Sequence, residues 1–102
     1  MTTSDATPPG APTAVTVVHS QACHFCDDAL DALAELASRH VLEVSVVELD
    51  SPLGATLVAV HRPAMNPLVL VDGAFFSSGR LPRRKLTRLL EARDARLATA
   101  ER

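Results

Sequence analysis

Large rings are almost absent from this chain: it has no tryptophan, no tyrosine and only 3 phenylalanines in 102 residues. A core of stacked aromatics is excluded. The 47% of residues that are hydrophobic must build it mainly from Leu, Val and Ala, which pack densely without rings. Net charge is equally scarce. At −2 it gives no global attraction for nucleic acid, so no such partner is expected. No apolar stretch reaches the ~20 residues of a membrane-spanning helix, and no membrane partner is expected either. Internal repeats are missing, and the length suits one compact domain; a monomer is expected. The first residues, 1–12 (MTTSDATPPGAP), have neither a cationic start nor an apolar run. They read as a disordered tail ahead of a domain spanning 13–102, and a cytoplasmic location is the default expectation.

What is present falls into alternating elements. Residues 14–18 (AVTVV) are short, β-branched and apolar, as in a strand buried on both faces. The period then changes. Leu30, Leu33, Ala34 and Ala37 share one helical face opposite Asp28, Asp31, Glu35 and Ser38, which predicts a helix over about 25–39. Residues 42–49 (LEVSVVEL) alternate as a second strand. Ser51 before Pro52 marks an N-cap with proline in the first turn. Leu53, Leu57 and Val60 supply that helix with a buried stripe, and Pro63 stops it. Residues 68–71 and 74–77 flank Asp72-Gly73, a hairpin signal because both turn positions need positive φ. Pro82 opens a last helix whose Leu86, Leu89, Leu90 and Leu97 face the sheet. The order is β-α-β-α-β-β-α, an α/β domain with a four-stranded mixed sheet and flanking helices. Its first crossover is expected to join parallel strands.

The chain holds 2 cysteines, and they form Cys23-His24-Phe25-Cys26 where the first strand gives way to the first helix. Random placement would produce this spacing only about one time in fifty. A helix N-terminus carries partial positive charge and unsatisfied N–H groups, which stabilise a thiolate. Cys23 is placed to be that thiolate, and Cys26, nearly one turn later, to resolve a mixed disulfide formed on it. A protonated His24 would favour the thiolate further; Asp27 and Asp28 oppose it. Two other readings stay open: cysteines that merely fill the core, and a zinc site recruiting two of His19, His24, His40 and His61. No second ligand pair has finger spacing, so the redox reading is preferred and no metal or cofactor is expected.

With these residues in hand, the chain resembles the glutaredoxin/thioredoxin superfamily, the glutaredoxin branch more closely. The likeness runs from Val15 to about Leu90 through His19-Ser20-Gln21-Ala22-Cys23-His24-Phe25-Cys26 and Asn66-Pro67-Leu68-Val69-Leu70-Val71-Asp72-Gly73. It implies a thioredoxin-like fold of glutaredoxin size. It also implies a cis Pro67 beside the active-site disulfide, with the backbone at Asn66 free to pair with a bound peptide or thiol. The chain departs from the family pattern between the cysteines, where glutaredoxins usually carry Pro-Tyr. It departs also at Ser20-Gln21-Ala22, which lacks the glutathione-carboxylate lysine, and at Ser77-Ser78-Gly79-Arg80, which replaces the Gly-rich acidic turn. A low-molecular-weight thiol other than glutathione, or a reductase protein, is therefore the expected recycling partner.

Several residues admit two roles. Phe25 is either an exposed apolar lip for substrate or part of the core. Arg80, Arg83, Arg84 and Lys85 gather where the last helix starts, the wrong end for cations by the dipole argument. The plainer reading, a solvated basic patch, is preferred to one in which Ser78, Gly79, Arg80 and Arg83 hold an anionic group of a thiol or partner. For His19 an ordinary hydrogen bond is preferred to proton transfer, and His40 and His61 carry no assigned chemistry. One of Phe75 and Phe76 should be core. The expected activity is thiol–disulfide exchange on protein disulfides or low-molecular-weight mixed disulfides. The alternative is a redox switch or binding module without significant turnover.

Overall fold

A computed structural model describes residues 12–100, with side chains through residue 96. The expected tail over 1–12 therefore lies, apart from Pro12, outside the described residues. The elements run β1 (Thr13–His19), α1 (His24–Leu36), β2 (Leu42–Glu48), α2 (Pro52–His61), β3 (Leu68–Val71), β4 (Ala74–Ser78) and α3 (Arg83–Ala100). The strands form one sheet in the order β2-β1-β3-β4. β1 runs parallel to β2 and antiparallel to β3, and β3 is antiparallel to β4. This is a small α/β domain with a four-stranded mixed sheet and three helices. Among the described residues no helix is long and apolar enough to cross a membrane.

β1 is central because its sequence is apolar on both sides. Val15 and Val17 join Val69, Val71, Leu33, Leu86 and Leu90 in a cluster that α1 and α3 close on one face. Val18, Leu68 and Leu70 pack with Leu49, Leu57 and Val58 beneath α2 on the other. The expectation of a doubly buried first strand holds. β2 differs: it is an edge strand and exposed along most of its length, with Val46 48% exposed.

Two helical stripes were expected one position away from where they fall. On α1 the buried residues are Cys26, Ala29, Ala32, Leu33 and Leu36, whereas Ala34 and Ala37 face solvent. Among so many alanines, the position of Leu36 and the half-buried Leu30 decides the face. The helix also ends at Leu36, because the next residues tighten into i→i−3 bonds, Ser38 N to Glu35 O and Arg39 N to Leu36 O. On α2 the inward row is Gly54, Leu57, Val58 and His61, and Leu53 and Val60 are exposed. The cause is a close approach. A Cβ at Gly54 would sit 2.1 Å from the Glu48 carbonyl oxygen, so the glycine face is the one that reaches the chain leaving β2. The caps are as expected: Ser51 Oγ accepts from Gly54 N at 3.0 Å. Arg62, at φ 48°, ends the helix just before Pro63.

The hairpin turn has Asp72 at φ 51° and Gly73 at φ 84°. A bulge follows: Val69 pairs with Ser77 and Leu70 with Phe75, leaving Phe76 as the extra residue. Phe76 and Ser77 are consequently both buried although adjacent, and Phe75 is 51% exposed. In α3, Leu86 and Leu90 are buried and Leu89 partly so. The expected inward side chain of Leu97 lies outside the described side chains. Pro82 stands just before the helix, its carbonyl accepting from Leu86 N at 3.1 Å.

Gly54→Ala forces a side chain onto backbone, so a loss of about 2 kcal/mol is expected. Urea unfolding should show it as a lower midpoint with an unchanged m-value.

Candidate redox site

The two cysteines stand at the joint between β1 and α1. β1 ends at His19, and the chain reverses through a turn at Gln21-Ala22 before α1 begins. Ala22 has φ 55°, a left-handed conformation that costs a non-glycine residue roughly 1–2 kcal/mol. Such strain persists only where the surroundings impose it. Here the constraint is that Cys23 must become the N-cap of α1. It does so in an extended conformation, and its Sγ accepts from Cys26 N at 3.1 Å.

Cys23 and Cys26 are joined in a disulfide, with Cα atoms 5.2 Å apart. They are unequal. Cys23 is half-buried at the helix entrance, and Cys26 is 0% exposed within the α1 core stripe. His24 is exposed and Phe25 half-buried, their rings 6.2 Å apart and tilted. Phe25 thus stands between the two expected roles, partly buried and partly open to solvent. A CxxC-spaced disulfide with one accessible sulfur is chemically suited to gaining and losing two electrons by exchange with other thiols.

The sheet brings other expected residues to the same end. Val18 pairs with Leu68, so Pro67 lies at the strand end where β1 leads into the cysteine turn. The Asn66–Pro67 bond is cis, the isomer implied by the resemblance. Pro67 is fully buried, and its carbonyl accepts from Gly79 N at 3.0 Å, which ties the end of β4 to this place. Asn66 is exposed. Met65 covers Gly79, because a Cβ there would meet its side chain at 3.3 Å. Ser78 is half-buried and Arg80 exposed.

The basic segment reaches the cysteine helix through Arg83. Arg83 donates to Asp28 Oδ1 at 2.7 Å, with Glu35 at 4.0 Å, and Asp28 is two residues past Cys26. The other oxygen of Asp28 is buried with no partner among the described residues. Lys85 Nζ lies 5.0 Å from the centre of the Phe76 ring.

His19 sits between carboxylates, its Nδ1 3.4 Å from Glu48 and its Nε2 3.8 Å from Asp27. With Ser20, Gln21 and Asp50 it borders a cleft of about 230 Å³ beside the cysteine turn. The other expected histidines are placed elsewhere. His40 lies 2.8 Å from Asp94, and His61 stacks loosely on Phe75 at 6.5 Å. Among the described residues no three of His, Cys, Asp and Glu converge as a metal site.

No family model matches the chain, and no curated protein matches it.

Two contributors escaped the sequence reading. Met65 lies in the loop before Pro67 and gave no signal. Asp72, read only as a turn residue, also accepts from Ala14 N at 3.1 Å and pairs with Arg93. It pins the far end of the sheet to α3. After mild reduction, Cys23 should react with iodoacetamide at least about tenfold faster than buried Cys26; timed alkylation with peptide mass analysis reads the ratio.

Proposed function

We propose that this chain is a thiol–disulfide oxidoreductase of thioredoxin-like fold and glutaredoxin size, with Cys23 as nucleophile and Cys26 as resolving thiol. The observation that carries this reading is the inequality of the two sulfurs across a helix N-terminus. One is accessible and accepts a backbone N–H, and the other is buried a turn inward. The strand order β2-β1-β3-β4, with the disulfide at the β1–α1 joint, supports the glutaredoxin-like resemblance.

In the reduced protein, the Cys23 thiolate is stabilised by the Cys26 N–H and by the partial positive charge of the α1 N-terminus. Its pKa is expected to lie below that of a free thiol. It attacks one sulfur of a substrate disulfide, forming a mixed disulfide and releasing the first substrate thiolate, which takes up a proton. Cys26 then gives up its proton and attacks Cys23 Sγ, and the second substrate thiolate leaves and takes up a proton. The substrate has gained two electrons and two protons, and the protein holds the Cys23–Cys26 disulfide. A thiol or a reductase protein returns the two electrons. Protein disulfides and low-molecular-weight mixed disulfides are the substrate classes.

The test combines titration of the Cys23 thiolate with reduction of a small mixed disulfide. Turnover is expected in the native chain. It should fall to background in Cys23→Ser, while Cys26→Ser accumulates the mixed disulfide on Cys23. A thiol that titrates as a free one, together with negligible turnover, would overturn the enzyme reading in favour of a redox switch.

A further inference from the structure

The segment from the end of β4 into α3 lines a concave groove of about 590 Å³ whose charged walls are Arg80, Arg83, Arg84, Lys85 and Arg88. The groove is shallow and open to solvent, so an occupant would lie in it only partly covered. Two of the five cations are committed. Arg83 is held by Asp28 and Glu35, and Lys85 stands over Phe76. Arg80, Arg84 and Arg88 have no carboxylate within salt-bridge distance among the described residues. The first turn of α3 contains no acidic residue to balance them. Three guanidinium groups thus face one cavity in a chain whose net charge is −2. All three are exposed, and Arg84, in the first turn, opposes the helix dipole.

The rest of the lining says which occupant fits. Its apolar members are Leu81, which is 2% exposed, and Pro82. The large exposed hydrophobic residues (Val41, Val44, Val46, Leu53, Val60, Met65 and Phe75) all lie outside it. A protein interface of ordinary size needs exposed apolar or aromatic groups at its centre, and here Leu81 is buried, which leaves Pro82. Guanidinium forks instead match phosphate oxygens pairwise. The groove is also tied to the redox helix. Arg83 bonds Asp28, five residues after Cys23, a rise of about 7–8 Å along α1.

We infer that Arg80, Arg84 and Arg88 form a binding site for the phosphate groups of a small thiol or disulfide, whose sulfur reaches Cys23 on an extended arm. The binding part stands alone. The substrate assignment rests on the oxidoreductase reading.

Inorganic pyrophosphate is the first probe, titrated calorimetrically into the full oxidised chain and into Cys23→Ser. Saturable binding in both is expected. It should weaken at least tenfold in the triple variant Arg80→Gln/Arg84→Gln/Arg88→Gln and with rising salt. No saturation, or binding indifferent to the triple variant, overturns the site. Reduction rates are then compared for coenzyme A disulfide, which carries phosphates far from its sulfurs, and for uncharged hydroxyethyl disulfide. The kcat/KM ratio should favour the phosphorylated substrate and drop at least tenfold in the triple variant. A ratio near one, or one the variant leaves unchanged, overturns the substrate assignment even if pyrophosphate binds. If the native chain reduces neither disulfide, the oxidoreductase reading fails and takes the substrate assignment with it. The pyrophosphate titration still judges the groove.

Discussion

Burial of β1 on both faces is the constraint from which the rest of this domain follows. A strand carrying Val15 and Val17 on one side and Val18 on the other cannot sit at a sheet edge without exposing apolar surface worth about 25 cal/mol per Å². It takes β2 as a parallel neighbour and β3 as an antiparallel one, and layers of helix form above and below. Once β1 is central, its C-terminal end must emerge between the helical layers. The chain then has few residues in which to turn back into α1. Ala22 absorbs that reversal at φ 55°, and Cys23 arrives as the cap.

The same register explains why residues far apart in sequence share one end of the molecule. Antiparallel pairing of Val18 with Leu68 brings Pro67 to the cysteine end. The bond from Gly79 N to Pro67 O carries the end of β4 there as well. From that point the chain enters α3 through a segment rich in arginine. Arg83 then reaches across to Asp28 on the cysteine helix, so the basic groove adjoins that helix. At the opposite end, Asp72 joins the hairpin turn to both β1 and α3. The sheet is therefore anchored at both ends, by polar contacts that leave the apolar layers undisturbed.

Charge is distributed unevenly about the cysteines. Asp27 and Glu48 flank His19 on one side of the turn, and the arginine groove lies beyond Asp28. The acidic side chains near α1's start suit its dipole, and one of them is also a partner for Arg83. The basic segment is expected from sequence to be a solvated patch, because charge runs on helices usually face water, and Arg80, Arg83, Arg84, Lys85 and Arg88 are all exposed. What the folded surface adds is that these exposed cations line one groove, and that three of them have no carboxylate partner among the described residues.

Element order, the hairpin at Asp72-Gly73, the Ser51 cap and the unequal placement of Cys23 and Cys26 were legible in the sequence. Each depends on neighbours within a few residues, where period, φ preference and capping chemistry act locally. The faces of α1 and α2 were not legible. Alanine and leucine on every side of α1 leave periodicity ambiguous, and the inward face of α2 is chosen by a glycine that must approach the Glu48 carbonyl. The Phe76 bulge, the cover of Met65 over Gly79 and the pairing of Arg83 with Asp28 join residues that only the sheet and its helices bring together. Local chemistry determined which residues carry reactive and charged groups. Tertiary packing decided which of them meet, because that depends on how two apolar faces of one strand are covered at once.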